Sequence, residues 1–489
     1  MQFTSMRFAL FAGALLLLYY RIPKHRQWQL LLLANMVFYI EAGLRYFLFL
    51  LITAATSFEA ARFLENHRSR KSVSRRCLST CLILNFGMLA VCKIFLLLPD
   101  SGWFLSLGLP LGISFYIFQS MGYVIDVSRG REAEKSFLRF LLFVSYFPQL
   151  IQGPISKHAD LQPQLMLPHA YNKKQVSFGL QRMLWGYFKK LVIADRIGTA
   201  VAVLRGPEYS GFPFLILTIF YALQIYGDFT GGIDIALGLS QALDIKLPEN
   251  FRHPFFSKSI AEFWRRWHIT LGGWMREYIF FPVSVCSPLR RLSKLARKHL
   301  GSFGKRLPVY IASGITWIAT GIWHGLTPNF LLWGMLNFLV ISMSEELAPL
   351  YREFHKRFPW KDRPWYEFLE MTRTFLLMNL IRSCDLFPDV NDYFLRIRSL
   401  LSPWELSFLW DGSLLELGLS GLDYLILILG IWIMLEVSLI QVHNGSIRQI
   451  LWKKPVLGNI LGFGLLLSIL LMGYYGIGYE ASSFIYNQF

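Results

Sequence analysis

A single histidine inside a long apolar stretch is the residue of this chain whose type and surroundings most directly indicate chemistry. His324 lies in the run Trp323-His324-Gly325, and residues 309–342 contain no Asp, Glu, Lys or Arg. Such a stretch is long enough to cross the roughly 30 Å hydrocarbon core of a bilayer. An ionisable side chain at that depth is costly, which predicts a functional site facing protein or a cavity. Gly321 and Gly325 leave room beside the ring for a substrate or another backbone. The alternative is an imidazole that only satisfies a backbone carbonyl.

A second polar group lies in residues 251–283, where charged residues are too frequent for a lipid-facing span. The segment predicts a helix at the interface or a re-entrant helix buried against others. Helical spacing would pair Glu262 with Arg266, four residues later. His268 acts either in catalysis and substrate orientation or as a structural, hydrogen-bonded histidine. Guanidinium groups suit phosphates. The candidates for donor phosphate contacts, unless they pair with nearby glutamates, are Arg265, Arg266 and Arg276.

The composition indicates a polytopic helical membrane protein rather than several soluble domains. Of the 489 residues, 54% are hydrophobic and 16% are charged, with a mean hydropathy of +0.41. The net charge of +18 is concentrated in loops, notably residues 68–76 and 290–306. Basic loops between apolar spans indicate cytoplasmic loops and contacts with anionic lipid headgroups, rather than nucleic-acid binding. The five cysteines show no CxxC spacing, so we expect reduced, packed thiols and no metal site.

The apolar runs predict an all-α membrane domain over residues 1–400 and a C-terminal helical hairpin over residues 420–489. The main runs are residues 8–20, 28–40, 46–61, 78–98, 103–125, 137–151, 178–204, 212–239, 309–342, 368–380, 422–440 and 456–477. Placing the basic loops inside puts the N-terminus and the C-terminal tail outside the cytoplasm. Asp228 and Asp234 are expected to make contacts between helices rather than to act in acid/base chemistry.

Several motifs, taken together and in order, resemble the membrane-bound O-acyltransferase (MBOAT) superfamily. The resemblance is strongest to its bacterial branch, which includes alginate O-acetyltransferases and the membrane acyltransferase of teichoic-acid D-alanylation. The matching residues lie between about 100 and 385 and are Leu109-Pro110-Leu111-Gly112-Ile113-Ser114-Phe115 with Gln119 and Asp126, Phe147-Pro148-Gln149-Leu150, Gly153-Pro154-Ile155, Gly186-Tyr187-Phe188-Lys189-Lys190, Ala194-Asp195-Arg196, Leu247-Pro248-Glu249-Asn250-Phe251, Ser259-Ile260-Ala261-Glu262-Phe263-Trp264-Arg265-Arg266-Trp267-His268, Ile322-Trp323-His324-Gly325, Asn329-Phe330 and Trp333-Gly334.

The resemblance implies that His324 is the catalytic histidine and that His268 is a second functional polar residue. It also implies a helical bundle around a tunnel that joins a cytoplasmic donor to an acceptor on the outer face. The chain departs from the family pattern at Gly227-Asp228, where an aromatic residue often precedes the aspartate. It departs again at Leu380-Ile381-Arg382, where an aromatic pair usually precedes the arginine. Both departures affect the expected shape of the pocket rather than its chemistry.

The C-terminal residues Phe484-Ile485-Tyr486-Asn487-Gln488-Phe489 resemble the FxYxxF ending of the small partner protein in D-alanylation. That resemblance implies that Tyr486 receives the acyl group and relays it outward, with Phe484 and Phe489 as the motif's other members. A phenol with a pKa near 10 needs a neighbouring base as it attacks a thioester, and a neutral His324 would serve. The alternative is an aromatic belt, because Tyr and Phe commonly anchor span ends at the headgroups.

These observations predict an O-acyltransferase of a bacterial plasma membrane that exports acetyl groups toward a cell-envelope polysaccharide. We expect acetyl-CoA as the donor substrate and no tightly bound cofactor. An extracytoplasmic transferase with a serine nucleophile, of the SGNH type, is the expected partner, because no GxSxG motif occurs here. Two alternatives remain: D-alanyl transfer from a carrier protein, and a polysaccharide or lipid transporter. A transporter would be favoured by inverted repeats, which the sequence does not show.

Overall fold

The computed structural model describes residues 1–95, 109–361, 363–387, 389–475 and 484. Every regular element in these ranges is helical, so the predicted all-α fold is confirmed. The predicted run 103–125 lies partly outside the described residues. Of the tail motif, Tyr486 and Phe489 lie outside them, whereas Phe484 is described.

The helices vary from single turns to 38 residues in length. In chain order they are α1 (Met6–Tyr19), α2 (Gln27–Ala42), α3 (Leu44–Asn66), α4 (Lys71–Phe95), α5 (Ile113–Ser128), α6 (Phe137–Ser145), α7 (Phe147–Leu150), α8 (His158–Met166), α9 (Lys173–Tyr187), α10 (Asp195–Leu204), α11 (Phe212–Ala242), α12 (Ile260–Arg266), α13 (Ile269–Met275), α14 (Phe281–Ser284), α15 (Ser287–His324), α16 (Pro328–Glu346), α17 (Ala348–Arg357), α18 (Pro364–Arg382), α19 (Val390–Ser399), α20 (Gly421–Asn444), α21 (Ile447–Trp452) and α22 (Pro455–Met472).

The chain forms two compact units, each assembled from separate stretches of sequence. The first comprises Met1–Leu191, Asp228–Pro248 and Arg448–Phe489, and the second comprises Val192–Gly227 and Glu249–Ile447. Helices α1–α9 and α22 therefore belong to the first unit, and α10 and α12–α20 belong to the second. Helix α11 contributes its N-terminal half to the second unit and the remainder to the first.

Five described helices are long and apolar enough to cross a membrane. They are α3, α4, α11, α20 and α22. The pair α16 and α17 would add a sixth span, with a bend of 48° between its two helices. These helices agree with the apolar runs of the sequence, and the prediction of a polytopic membrane protein is confirmed.

Three segments that read as continuous in the sequence are broken in the structure. Residues 178–204 pass through a wide π-helical turn at Phe188–Ala194. Residues 251–283 form several short helices instead of one, although Glu262 and Arg266 pair as predicted, at 2.5 Å. The apolar run 309–342 is interrupted just after His324. Hydrophobicity alone did not predict these breaks, because they depend on local turn geometry.

In the first unit, α9 and the C-terminal half of α11 approach each other through paired glycines. A Cβ atom on Gly179 would lie 2.4 Å from the Gly238 carbonyl oxygen, and one on Gly186 would lie 2.5 Å from that of Gly231. Contacts this short exclude any side chain, so the two backbones pack directly. We call the four glycines the glycine seam.

Buried ion pairs lie beside the glycine seam. Lys190 Nζ is 2.5 Å from Asp228 Oδ1, and both side chains are almost fully buried. Asp234 accepts from Lys189 at 2.6 Å and from Arg182 at 2.7 Å. Both aspartates therefore join helices as predicted. A buried charge is tolerated only when it is paired, so each lysine fixes the aspartate opposite it.

In the second unit, α15 bends back on itself at Gly301. This glycine has a φ of 53°, which only glycine adopts readily. After the turn, Gly304 lies against the Ala296 backbone, and the Ser293 hydroxyl donates to the Gly304 carbonyl at 3.3 Å. We call this turn the basic hairpin, because it exposes seven cations: Arg290, Arg291, Lys294, Arg297, Lys298, Lys305 and Arg306.

Candidate active site

His324 occupies the last position of α15, where the helix is stopped by its sequence. Gly325 is extended, with φ −171° and ψ 162°, and Pro328 opens α16 three residues later. Proline is favoured in the first turn of a helix because its missing N–H is not needed there. His324 therefore lies at a helix end rather than in the middle of a continuous span, and it is 4% exposed.

The glycines near His324 let α15 and α16 come into backbone contact. A Cβ on Gly321 would lie 2.4 Å from the Phe330 carbonyl oxygen, and one on Gly334 would lie 2.5 Å from that of Trp317. The Phe330 ring fills the space beside Gly325. Of the two occupants that the sequence allowed, backbone or substrate, a neighbouring backbone occupies the space beside Gly321.

Aromatic rings surround the His324 imidazole. The centroid of the Trp323 ring is 4.7 Å from that of His324, and the Trp333 centroid is 4.9 Å away, both edge-on. The Phe330 ring is stacked at 6.1 Å, with an interplanar angle of 14°. Packing on several sides restricts the rotation of the imidazole and excludes water from these faces.

His268 is positioned by a strained backbone and by Asn250. It has a φ of 46°, an uncommon conformation for a residue other than glycine, and it immediately precedes α13. The Ile269 N–H donates to the Asn250 carbonyl at 3.0 Å, which ties the start of α13 to the loop before α12. Such strain persists only where the surrounding structure imposes it, and it is common at functional sites.

The hydrogen bonds around Asn250 assign the proton on the His268 ring. The Thr270 backbone N–H donates to Asn250 Oδ1 at 3.0 Å, and the Thr270 hydroxyl donates to it at 2.9 Å. Because a backbone N–H can only donate, this side-chain atom is an acceptor oxygen. His268 Nδ1, 3.3 Å from the same oxygen, must therefore carry the proton. Nε2 is then the acceptor nitrogen of the neutral ring.

Burial keeps His268 neutral. The side chain is 3% exposed. Removal from water, with a smaller contribution from the nearby Arg382 guanidinium, lowers the pKa of His268 to about 3. The protonated form is therefore rare at neutral pH.

The two candidate histidines both lie against the same indole ring in the second unit. The Trp323 centroid is 5.9 Å from that of His268 and 4.7 Å from that of His324. The structure thus brings together two residues that are 56 positions apart in the sequence, numbers 268 and 324. They form one aromatic site, not two separate features.

Three further residues belong to this site and were not predicted as functional. Arg382 lies 5.9 Å from the Trp333 ring, and its Nε is 3.1 Å from Asp385 Oδ2. The Tyr221 hydroxyl donates to Asp385 Oδ1 at 2.9 Å. In the sequence, Arg382 marks only a departure from the family pattern. The signal that could have identified the pair is an arginine and an aspartate three residues apart in an apolar setting.

The three arginines proposed for donor phosphates differ in their surroundings. Arg266 pairs with Glu262, the alternative considered from the sequence, whereas Arg265 is exposed. Arg276 is also exposed, and its guanidinium lies 5.5 Å from the Phe281 ring. A contact between any of them and a donor stays a prediction.

Phe484 is buried in the first unit, with 1% of its surface exposed. Lys190 Nζ lies 4.7 Å from its ring centroid, and the Phe3 ring approaches edge-on at 6.3 Å. Gly232 gives it room, since a Cβ there would lie 3.2 Å from the Phe484 ring. We call these contacts the Phe484 pocket. They hold the first aromatic residue of the tail motif in a fixed place.

One known protein family matches most of the chain. A family model described as MBOAT, membrane-bound O-acyltransferase family, matches residues 17–384. That range includes His268 and His324 and ends two residues after Arg382.

Three of the similar proteins illustrate the range of relatives. The probable alginate O-acetylase AlgI of Pseudomonas syringae pv. tomato is 33% identical over 244 residues, which is 49% of this chain and 43% of that protein. The peptidoglycan O-acetyltransferase of Helicobacter pylori is 30% identical over 67% of this chain and 66% of its own. The teichoic acid D-alanyltransferase of Bacillus subtilis is 26% identical over 54% of this chain and 65% of its own. The matches thus span from 43% to 66% of these relatives' lengths.

Proposed function

The chain belongs to the membrane-bound O-acyltransferase family, and we propose that it moves acetyl groups from a cytoplasmic thioester toward a cell-envelope polysaccharide. The observation that carries the proposal is the contact that His268 and His324 both make with the Trp323 ring. Two buried imidazoles in an aromatic, water-poor site suit general base catalysis and substrate orientation.

His324 acts as the general base in this proposal. The hydroxyl oxygen of Tyr486 attacks the thioester carbonyl carbon, while the neutral imidazole of His324 takes the phenolic proton. The new C–O bond forms as the C–S bond breaks, and the imidazolium returns the proton to the departing thiolate. The products are an acyl ester on Tyr486 and a free thiol. Because a phenyl ester stays activated, a second transfer to another hydroxyl can follow.

His268 is the second polar group of the proposed site. Its Nδ1–H is committed to Asn250, so Nε2 acts as an acceptor toward a substrate donor. Arg382 supplies positive charge near the same ring, where negative charge develops on the carbonyl oxygen during attack.

The Phe484 pocket supports the relay over the aromatic-belt alternative. A residue that anchors a span end at the headgroups is expected to lie at the membrane surface. Phe484 is instead enclosed by protein beside a buried lysine. Tyr486 follows Phe484 by two residues in the sequence.

The relatives support acetyl as the group transferred. The two O-acetylating relatives are 33% and 30% identical, and the D-alanylating relative is 26% identical. D-alanyl transfer from a carrier protein is the second candidate, because that relative still matches 54% of this chain. A glycan of the cell envelope is the proposed final acceptor, reached through an extracytoplasmic SGNH-type transferase. The proposed location is the bacterial plasma membrane, with the C-terminus outside the cytoplasm.

The decisive experiment is mass analysis of the C-terminal peptide after the purified protein has reacted with acetyl-CoA. We expect an acetyl group on Tyr486 that is lost in His324→Ala. The matched control is His299→Ala, which removes an exposed histidine from the same helix. It should leave the acetylation unchanged.

The other outcomes identify which part of the proposal fails. An unmodified Tyr486, in protein that still passes acetyl to a supplied acceptor, would eliminate the relay. Loading of Tyr486 from a D-alanyl carrier protein, with no consumption of acetyl-CoA, would establish the second candidate. Equal acetylation of Tyr486 in wild type and His324→Ala would remove His324 as the base.

A further inference from the structure

A cavity bordered by several charged and polar side chains lies in the first unit, built entirely from residues outside the proposed active site. Its volume is about 310 Å³, at the lower end for small-molecule sites. Side chains of both charges and two aromatic rings line it. Those used below are Tyr123, Asp126, Arg131, Glu132, His158 and Gln162, from α5, α8 and the loop after α5. We call it the α5–α8 cavity.

The α5–α8 cavity lies at the level of a span end. The Ala133 backbone N–H, in the loop that borders the cavity, donates to Glu65 Oε1 at 3.0 Å. Arg68 donates to the Arg131 carbonyl in the same loop. Both Glu65 and Arg68 mark the C-terminal end of α3, a candidate membrane span. The basic residues 68–76 that follow α3 predict the cytoplasmic side. The cavity is therefore placed near the headgroups of the cytoplasmic leaflet.

Two buried polar side-chain atoms in the cavity lack a hydrogen-bond partner among the described residues. They are Gln162 Oε1 and His158 Nε2. Gln162 is 5% exposed, and its Nε2 donates to Glu134 Oε2 at 3.3 Å, which fixes the amide with its oxygen left over. Leaving a buried polar atom unsatisfied destabilises the folded protein. A ligand with N–H donors would remove that destabilisation.

Aromatic packing holds the His158 ring in place. The Tyr123 centroid is 4.6 Å from that of His158, and the Phe143 centroid is 5.0 Å from it. Burial lowers the pKa of His158 to about 4, so the imidazole is neutral at physiological pH. A neutral imidazole accepts a hydrogen bond at the nitrogen that carries no proton, and the face of the ring attracts cations.

The charges of the cavity favour a zwitterion with an ammonium group. Asp126 and Glu132 carry two negative charges, and Arg131 carries one positive charge. The lining is thus net negative in a chain whose net charge is +18. Arg131 Nε lies 3.8 Å from Asp126 Oδ2, and its side chain is 57% exposed, so its guanidinium is accessible to an anion at the mouth. The described residues contain no group of His, Cys, Asp or Glu suited to a metal ion.

We propose that the α5–α8 cavity binds a phosphoethanolamine group, in which a primary ammonium and a phosphate are two carbons apart. The ammonium has three N–H bonds, and it donates them to Gln162 Oε1, His158 Nε2 and a carboxylate of the cavity. The phosphate pairs with Arg131. The group comes either from a phosphatidylethanolamine headgroup or from a soluble glycerophosphoethanolamine, because both present the same chemistry.

The test uses the full-length protein, stripped of lipid in detergent, and measures lipid retention by native mass spectrometry. Phosphatidylethanolamine, phosphatidylcholine and phosphatidylglycerol with identical acyl chains are supplied at equal concentration. We expect one phosphatidylethanolamine to be retained at least tenfold more strongly than either of the others. Phosphatidylcholine is the sharpest comparison, since its quaternary ammonium has no N–H to donate.

Two variants and one control assign the binding to this cavity. Glu132→Gln removes an exposed carboxylate, and His158→Phe keeps the ring while removing the acceptor; each should lower retention about tenfold. Asp160→Asn, an exposed carboxylate on α8 that does not line the cavity, should retain the lipid as wild type does. Without lipid, His158→Phe should melt at or above the wild-type temperature, because it removes an unsatisfied buried atom.

The soluble arm identifies the source of the group. Glycerophosphoethanolamine that competes with phosphatidylethanolamine at similar concentration supports a soluble ligand at the same site, whereas failure to compete supports the lipid. Equal retention of the three lipids, or unchanged retention in both variants, overturns the proposal.

Discussion

The two histidines of the proposed site are held by different means. His324 is fixed by rings on α15 and α16, and its position depends on where the helix ends. His268 is fixed by a hydrogen bond to Asn250 and by a backbone with positive φ. The first arrangement restricts rotation, and the second also selects the tautomer. A substitution near one histidine is therefore expected to affect activity in a different way from one near the other.

The protonation of His268 predicts a pH-dependent stability. Its pKa is about 3 in the folded protein and near 6.5 when unfolded. Below pH 6.5 the unfolded state binds a proton that the folded state does not bind, so stability falls as the pH falls from 6.5 toward 3. The slope from this residue is about 1.4 kcal/mol per pH unit. We expect His268→Gln to lose less of its melting temperature than wild type between pH 7.5 and pH 5. Parallel losses in the two proteins would contradict this account.

The Phe484 pocket predicts that the tail docks through one ring. Truncating a buried phenylalanine to alanine destabilises a protein by about 3–5 kcal/mol. Here we expect the loss mainly in the free energy of docking the tail. Phe484→Ala should therefore lower acetyl loading of Tyr486 at least tenfold, as measured by mass analysis. Phe463→Ala, which removes a 61% exposed ring from α22, is the matched control and should load normally. Normal loading of Phe484→Ala would show that the pocket has no part in the relay.

For individual residues, the sequence motifs predicted which side chains belong to the site but not which contacts hold them. His324 and His268 were selected from their surroundings and the family resemblance, and the structure places them around Trp323. The Asn250 hydrogen bond was not predicted, because residues 250 and 268 meet only once the short helices have formed. The partnership of Arg382, Asp385 and Tyr221 was missed for the same reason: the tyrosine comes from α11, over 150 residues earlier.

Two pairs of helices in this protein approach closely at glycines. The glycine seam joins α9 to α11, and Gly321 and Gly334 join α15 to α16. Where side chains are absent from the contact, the helix positions are set by backbone atoms, which have no alternative rotamers. His324 lies three residues beyond Gly321, so its position depends directly on that contact.

Gly321→Ala is expected to separate α15 from α16. The added Cβ would lie 2.4 Å from the Phe330 carbonyl oxygen, which is backbone and cannot rotate away. We expect a melting temperature several degrees below that of wild type and a strong loss of acetyl transfer, since His324 moves with α15. Gly314→Ala, seven residues earlier on the same helix, is the control because its Cβ would meet only the Phe338 ring, at 3.5 Å. Similar behaviour of the two variants would refute this explanation.

Helix existence was largely predictable, but helix continuity was not. The runs 212–239, 422–440 and 456–477 correspond to α11, α20 and α22 because long apolar sequences have few alternatives to a helix in a membrane. The run 309–342 resembles one continuous span because its hydropathy does not show that a helix ends at Gly325 and that another begins at Pro328. The π-helical segment Phe188–Ala194 contains no proline or glycine that would predict the interruption.

For the whole molecule, the distribution of charge gives a membrane orientation. The basic loops at residues 68–76 and 290–306 predict the cytoplasmic side, and the C-terminal tail is then outside. Neither the fold nor the family membership fixes this orientation, so it stays a prediction. The division of the chain into two interleaved units could not be read from the sequence, because the first unit joins residues 228–248 to residues 448–489, about 200 positions later.

The orientation is tested by labelling single cysteines in a cysteine-free background. A membrane-impermeant maleimide should label Ser482→Cys in intact cells, because the tail is predicted to be outside. It should label Ser302→Cys, in the basic hairpin, only after the cells are lysed. The reverse pattern would place the donor and acceptor sides opposite to our proposal.

The basic hairpin has a consequence for how fast a donor arrives. Folding back at Gly301 places seven exposed cations within one short hairpin, which raises the local electrostatic potential. Anions gather in such a field, and the phosphates of acetyl-CoA make this proposed donor one of them. The encounter rate would then be governed by ionic strength, with the field screened over about 8 Å at physiological salt. The turn at Gly301 thus lets the hairpin steer an anionic substrate electrostatically and raise its local concentration before any specific contact forms.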